Sequence, residues 1–124
     1  MTNQIRVFSV DDHPLLREGI VAVIKGQPDM QVVAQASDGR EAINYFCEHK
    51  PDVTLMDLRL PDMSGIDAMI AIRTEFPGAR IIILTTFESD TEVQRALAEG
   101  ASAYMLKSAH PREMAETIRR LYIP

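Results

Sequence analysis

Apolar residues gather into five short runs along this chain, at positions 5–10, 31–36, 53–57, 80–85 and 102–106. The runs are rich in Val and Ile and nearly continuous rather than alternating. Strands buried on both faces have this pattern, because neither face carries a polar half. Five amphipathic stretches separate and follow the runs, and helices are predicted to begin near Pro14, Gly39, Gly65, Ser89 and Pro111. Pro14 and Pro111 suit a first helical position, where the missing N–H costs nothing. Asp38 with Glu41, and Ser89 with Glu92, have capping-box spacing. Gly26, Gly78 and Gly100 fall where helices should stop, and Pro28, Pro51 and Pro77 bar their continuation.

The helical periodicity also predicts which faces are inward. In the first helix Leu16, Ile20, Val23 and Ile24 share one face, leaving Leu15 and Ala22 nearer solvent. In the last helix Met114, Ile118 and Leu121 take the inward face, leaving Ala115, Arg119 and Tyr122 outside. Five strand–helix units in strict alternation predict one doubly wound α/β domain over residues 1–124. The 124 residues match the commonest single-domain size, and no linker or low-complexity segment divides them.

Composition narrows the function classes. A 46% hydrophobic content supports a packed core and excludes disorder. The formal charge of −5 repels nucleic acid and anionic membrane, so this segment by itself is a poor DNA binder. No apolar run approaches the roughly 18 residues of a membrane span, and the Met1-Thr2-Asn3-Gln4 start has no signal-peptide character. A single cysteine, Cys47, forms no internal disulfide, which fits a reducing cytoplasm. Beside Phe46 in a helical stretch, it is expected to be a small buried hydrophobe rather than a reactive thiol.

The chemistry lies at the ends of the apolar runs. Asp57 closes the third run, Asp11 and Asp12 follow the first, and Lys107 follows the fifth. Strands of a parallel sheet all end at one edge, so three acids and one lysine should converge there. Phosphoryl transfer needs an in-line nucleophile, a divalent ion and a cation on the phosphoryl oxygens. A carboxylate can attack phosphorus and become an acyl phosphate, and Asp57 is the candidate. Asp12 would bind the metal directly and Asp11 directly or through water, with the Arg59 backbone carbonyl as a further oxygen. Mg²⁺ suits this set, because it favours octahedral oxygen ligands. The charges of three carboxylates, Mg²⁺ and Lys107 cancel before a phosphoryl group adds roughly −2. Without the metal, crowded anions raise one another's pKa. Taken alone, Asp11-Asp12 also fits a turn with a helix cap.

Thr85 ends the fourth run, so its hydroxyl should face the same edge and reach a phosphoryl oxygen; alone it is also an ordinary strand-end threonine. Tyr104, three residues before Lys107, is either a ring half covering the sheet or an aromatic with a polar tip that alternates between inward and outward rotamers.

With these residues in view, the chain resembles, over its whole length, the receiver domain of bacterial response regulators. Asp11-Asp12, Asp57 followed by Pro61 and Gly65, Thr85, Tyr104 and Lys107 carry the resemblance. The segments Asp11-Asp12-His13-Pro14-Leu15-Leu16-Arg17-Glu18-Gly19, Leu84-Thr85-Thr86-Phe87 and Gly100-Ala101-Ser102-Ala103-Tyr104-Met105-Leu106-Lys107 are similar to the LuxR-type (NarL/FixJ-like) subfamily, whose members carry a C-terminal helix-turn-helix. The resemblance implies a flavodoxin-like (βα)5 sheet with strand order 2-1-3-4-5. It implies phosphoryl transfer from a sensor histidine kinase to Asp57. It further implies Mg²⁺ at Asp11, Asp12 and Asp57, Lys107 on the phosphoryl group, and Thr85 with Tyr104 as a switch. On this reading the chain is no enzyme beyond its own phosphorylation and dephosphorylation, and DNA is reached only through a further C-terminal domain.

Two positions depart from the pattern. Ser108 follows Lys107 where many receivers have proline, so a cis bond there would cost about 2.5–4 kcal/mol and is not assumed. Arg59, two residues past Asp57, either shields the phosphoryl group or is a solvated loop arginine. Other readings compete. An aspartyl-nucleophile phosphohydrolase typically has a second acid where Arg59 stands. A flavin carrier needs a phosphate-cradling loop after the first strand, where Asp11-Asp12-His13-Pro14 repels phosphate. A degenerate receiver would not retain the full acid set. The output is expected to be either a DNA-binding partner domain or, for a stand-alone receiver, protein–protein contact, with homodimerisation through the first and last helices.

Overall fold

The computed structural model describes residues 4–86 and 90–122. Five strands and five helices alternate: β1 (Ile5–Val10), α1 (Pro14–Lys25), β2 (Met30–Ala36), α2 (Gly39–His49), β3 (Val53–Asp57), α3 (Gly65–Glu75), β4 (Ile81–Thr85), α4 (Asp90–Ala98), β5 (Ala103–Leu106) and α5 (Pro111–Tyr122). The strands form one parallel sheet in the order β2-β1-β3-β4-β5. This is the expected flavodoxin-like sheet, and its order reverses between β1 and β3, where such folds place their sites. Strand bounds differ from expectation by at most one residue at a start. No cis peptide bond occurs among the described residues.

Both faces of the sheet are covered, which explains the continuous apolar runs. One face packs Ile5, Val7, Val53, Leu55, Ile82, Leu84 and Met105 against Ile20 and Ile24 of α1 and Met114 and Ile118 of α5. The other packs Phe8, Val10, Met56, Ile81 and Ile83 against Phe46 of α2, Ile66, Met69 and Ile72 of α3 and Ala96 of α4. The two-residue strand period assigns each side chain to a face, and this decides where the polar residues at the strand ends point.

Several helix-end expectations are met. Asp38 caps α2 by accepting from the Glu41 N–H at 2.8 Å. The return bond of the capping box reaches one residue earlier than expected, from the Ser37 N–H to Glu41 Oε1 at 2.8 Å. Ser64, which no predicted cap included, caps α3 through the Ile66 N–H. Gly100 takes φ +113°, a left-handed conformation that glycine adopts without a Cβ penalty. The Ser89 capping box lies outside the described residues.

Other expectations are corrected. Gly78 does not cap α3; Phe76 does, and Gly78 follows in the loop. Cys47 is exposed, not buried. The inner face of α2 is set by Gly39, Ala42 and Phe46, and the residue after Phe46 lies about 100° round the helix. On α5, Ala115 is buried and Tyr122 packs against the core rather than facing outward. Because α1 lies alongside α5, the covered arc is wider than contact with the sheet alone would make it. Arg119 leaves the core as expected, but its guanidinium is held by both carboxylate oxygens of Asp29 at 2.7 and 2.9 Å. That bond holds the Asp29 carboxyl below the usual range.

Candidate functional site

Strand phase brings the acids and the lysine together. Asp57 follows Val53 and Leu55 on the α1/α5 face, and its register partner Leu84 pairs in turn with Met105. The same two-residue step carries Val7 and Ser9 on to Asp11, and Met105 on to Lys107. The Lys107 N–H donates to the Thr85 carbonyl at 2.8 Å, continuing the β4–β5 ladder so that the lysine sits beside β4's end. Its Nζ then reaches Asp57 Oδ2 at 2.8 Å, with side chains 14% and 2% exposed. The lysine expected to meet the phosphoryl group is thus paired with Asp57 itself.

Asp11, Asp12, His13 and Asp57 offer ligand atoms that all lie within 4.8 Å of one another. Asp11 is fully buried; Asp12 is exposed at the rim. Asp11 Oδ1 accepts from the His13 backbone N–H at 2.6 Å. Asp11 Oδ2 is buried and has no hydrogen-bond partner among the described residues. Burial pushes the Asp11 carboxyl above its ordinary value, the His13 N–H opposes this, and nearby Asp57 adds to it. A buried carboxylate oxygen without a donor costs free energy unless a cation meets it. Three carboxylates around one point are the oxygen-rich donor set that a hard divalent cation such as Mg²⁺ prefers, so the residues present fit that ion.

The loop after β3 is held by backbone contacts. The Gly65 N–H donates to the Leu58 carbonyl at 2.7 Å. A Cβ at Gly65 would stand 2.0 Å from the Asp57 carbonyl oxygen, so only glycine lets α3 approach this closely. Arg59 donates its N–H to Asp57 Oδ1 at 3.2 Å. Its guanidinium bonds Glu92 Oε1 at 3.0 Å and is 78% exposed, so the long cation lies toward α4 rather than over Asp57. The sequence-predicted Thr85 is buried at the end of β4, on the phase of Ile83 and thus toward the α2–α3–α4 face. Tyr104 pairs in register with Ile83 and shares that side. It is 37% exposed and lines a groove with Leu106, Glu113, Glu116 and Arg120, apart from the acid cluster.

Sequence reasoning missed three contributors. His13 places Nδ1 3.2 Å from Asp11 Oδ1 and from Asp12 Oδ1, and 3.8 Å from Asp57 Oδ2. Its signal was its place directly after the two acids. Arg17 donates to the Asp11 carbonyl at 2.6 Å, the Ala36 carbonyl at 3.1 Å and Ser37 Oγ at 2.6 Å, tying the ends of β1 and β2 together. Asp62 accepts from the Gly39 and Arg40 N–H groups at the start of α2, and the Gly39 bond holds its carboxyl below the ordinary value. Neither Arg17 nor Asp62 has a local sequence signal, because both act on backbone distant in the chain.

Comparison with known proteins agrees with this geometry. Residues 7–119 match the family model described as response regulator receiver domain. The response regulator protein VraR of Staphylococcus epidermidis is 39% identical over 118 residues, covering 95% of this chain and 56% of that protein. The chain thus spans about half the length of the curated relatives it matches. A LuxR-family two-component response regulator from Aurantimonas superposes with TM-score 0.92 at 38% identity, over 97% of this chain and 86% of that one. The signal receiver domain of the putative response regulator NarL from Mycobacterium tuberculosis superposes with TM-score 0.93 at 32% identity, over 97% of both chains.

Proposed function

This chain belongs to the response regulator receiver domain family, and on that premise we propose that Asp57 accepts a phosphoryl group from a sensor histidine kinase. The reading rests on one observation above all. A nearly buried carboxylate stands at ion-pair distance from Lys107 and within a cluster of acids whose innermost oxygen lacks a partner. Receiver domains bind Mg²⁺ at an acidic pocket; here Asp11, Asp12 and Asp57 would hold it, with the Arg59 carbonyl as a further oxygen. When bound, the ion supplies a counter-charge that lets an anionic phosphoryl group approach three carboxylates.

An Asp57 carboxylate oxygen attacks phosphorus in line, and the bond from phosphorus to the donor's imidazole nitrogen breaks with its electron pair going to that nitrogen. Asp57 becomes an acyl phosphate. Lys107 is already beside Asp57 Oδ2 and passes from the carboxylate to the new phosphoryl oxygens with little movement. The Thr85 hydroxyl at the next strand end is the second group to follow the phosphoryl oxygens, and a change there is passed to Tyr104 on the same side of the sheet. To move such a switch from 1:99 to 99:1, the phosphoryl group must favour the active state by roughly 5.5 kcal/mol. Beside the site, an open cleft lined by His13, Leu15, Leu16, Gly19, Thr86 and Lys107 gives the donor an apolar landing surface.

The test is a small-molecule phosphodonor with Mg²⁺, read by intact mass. Wild type should gain one phosphoryl group and Asp57→Ala none; full phosphorylation of Asp57→Ala overturns the assignment. The domain assignment over 1–124, a cytoplasmic location and control of a LuxR-type DNA-binding output belong to the same proposal, supported by the relatives' length and family. No helix among the described residues is long and apolar enough to cross a membrane. Phosphorylation-dependent dimerisation is also proposed, now on the exposed Leu15 and Ala22 of α1 alone. The outer face of α5 presents Arg112, Glu113, Glu116 and Arg120 instead. Sedimentation with a phosphoryl mimic should show a dimer for wild type and a monomer for Leu15→Asp.

A further inference from the structure

The geometry points to His13 as a fourth ligand of the acidic pocket, one that tilts it toward borderline divalent cations such as Co²⁺, Ni²⁺ or Zn²⁺. This rests on the reading of the pocket as a metal site and adds a donor of a different kind. Carboxylates alone suit Mg²⁺, Ca²⁺ and Mn²⁺, whereas imidazole suits later first-row ions, whose affinities for a given site generally exceed that of Mn²⁺.

Donors at about 2.1 Å from an octahedral ion stand about 3.0 Å apart when adjacent and about 4.2 Å apart when opposite. Nδ1 lies 3.2 Å from Asp11 Oδ1 and from Asp12 Oδ1, close to the adjacent spacing. It lies 3.8 Å from Asp57 Oδ2, between the two spacings. A second, independent observation is the fully buried Asp11, whose Oδ2 has no hydrogen-bond partner, so the donor set is incomplete in protein atoms alone. His13 precedes α1 at the capping position but makes no side-chain cap bond, and its ring is 62% exposed. Among the described residues the contacts of its Nδ1 are with the acids of this cluster. The other two histidines stand elsewhere: His49 ends α2, and His110 Nδ1 accepts from the Arg112 N–H beside α5.

The experiment titrates the chain with Co²⁺ and, separately, with Mg²⁺ by calorimetry, on wild type, His13→Ala, His13→Asn and Asp12→Ala. Proton NMR of the Co²⁺ forms looks for a contact-shifted imidazole N–H. Wild type should show that resonance, and both His13 variants should lose it. Their Co²⁺ affinity should fall roughly tenfold or more, a loss that even an outer partner of a ligand produces, while Mg²⁺ affinity changes little. The asparagine variant keeps a polar side chain before α1, and unchanged melting of both variants shows that the effect is not unfolding. An equal Co²⁺ to Mg²⁺ affinity ratio in wild type and His13→Ala overturns the inference and leaves the Mg²⁺ site standing. Loss of neither ion in Asp12→Ala overturns the metal site itself, and with it this inference.

Discussion

At the edge where the strands begin, Asp52 Oδ2 accepts the Arg6 N–H at 2.8 Å. There the Arg6 guanidinium donates to the Lys50 and His49 carbonyls at 2.8 and 2.7 Å, meeting acceptors that the end of α2 leaves open. An apolar cleft of about 380 Å³ beside them is lined by Phe46, Pro51, Phe76 and Pro77. At the edge where the strands end, Asp11 Oδ2 is buried without a partner, and three carboxylates crowd one point. Helix caps there are still satisfied, by Asp38, Asp62 and Ser64. The difference lies in what the polar side chains serve. At the first edge they satisfy the backbone. At the second, some are held in an arrangement that costs stability and that a cation would relieve.

The sharpest way to break this comparison is at the junction that sets Asp57. In Gly65→Val, the new Cβ would meet the Asp57 carbonyl oxygen at 2.0 Å and the Asp57 carbonyl carbon at 3.0 Å. These are backbone atoms that cannot swing aside, so we expect a loss of about 3 kcal/mol in denaturant unfolding, at the upper end of overpacking costs. Phosphorylation should fail with it. A variant that unfolds with wild type would mean that α3 does not press on β3.

The next effect belongs to the other edge. Asp52→Ala removes the acceptor of the Arg6 N–H and should cost about 1.5 kcal/mol, as for a hydrogen bond to a charged group. Phosphorylation by a small-molecule donor should proceed at the wild-type rate. Slowed phosphorylation at unchanged stability would show that the two edges are coupled.

Asp11→Asn should act in the opposite direction on stability. Burial raises the folded-state pKa of Asp11 above the ordinary carboxylate value, so the folded chain holds the proton more tightly than the unfolded one. Stability is then greatest below that unfolded value, falls as pH rises from it through the raised folded value, and stays lower above it. In metal-free buffer near neutral pH, Asp11→Asn should therefore be more stable than wild type by about 1 kcal/mol, part of the cost of an unmet buried charge. The gain should vanish at low pH, and Mg²⁺ binding should weaken. Equal stability of the two proteins at neutral pH would show that the acid cluster carries no such cost.

The smallest effect is a control on the first edge. A Cβ at Gly78 meets nothing within 4 Å and the backbone there is not left-handed. Gly78→Ala should stabilise by about 0.5 kcal/mol through the unfolded chain, measured as a slightly higher unfolding midpoint. Destabilisation instead would mean that this loop is as constrained as the one carrying Gly65.

The edge that carries the acid cluster was legible in sequence where a residue announces itself by position. Asp11, Asp12, Asp57, Thr85 and Lys107 each sit at or just past a strand run, and a parallel sheet sends all such positions to one edge. The helix starts at Pro14, Gly39, Gly65 and Pro111 were legible because caps and prolines act within a turn of their own position. Lys50, by contrast, takes a left-handed cap at the end of α2, with φ 45°, where local pattern offered only Pro51 as a stop. Cys47, Ala115 and Tyr122 were misplaced because burial depends on which neighbour covers a helix, and periodicity assumes one covering surface.

By itself, the sequence determined the alternation of strands and helices, the buried character of both sheet faces and the chemistry gathered at the strand ends. Local propensity, period and capping act over a few residues, so they survive without knowledge of the rest of the chain. Only the tertiary structure decided that Lys107 pairs with Asp57, that His13 turns into the acid cluster and that Arg59 turns away to Glu92. It also decided that Arg17 and Asp62 brace the loops from afar. Most of those outcomes join residues remote in the chain and are set by strand register and helix packing, which no local pattern encodes; His13 adjoins its acids, and there the fold decides only which way the ring turns.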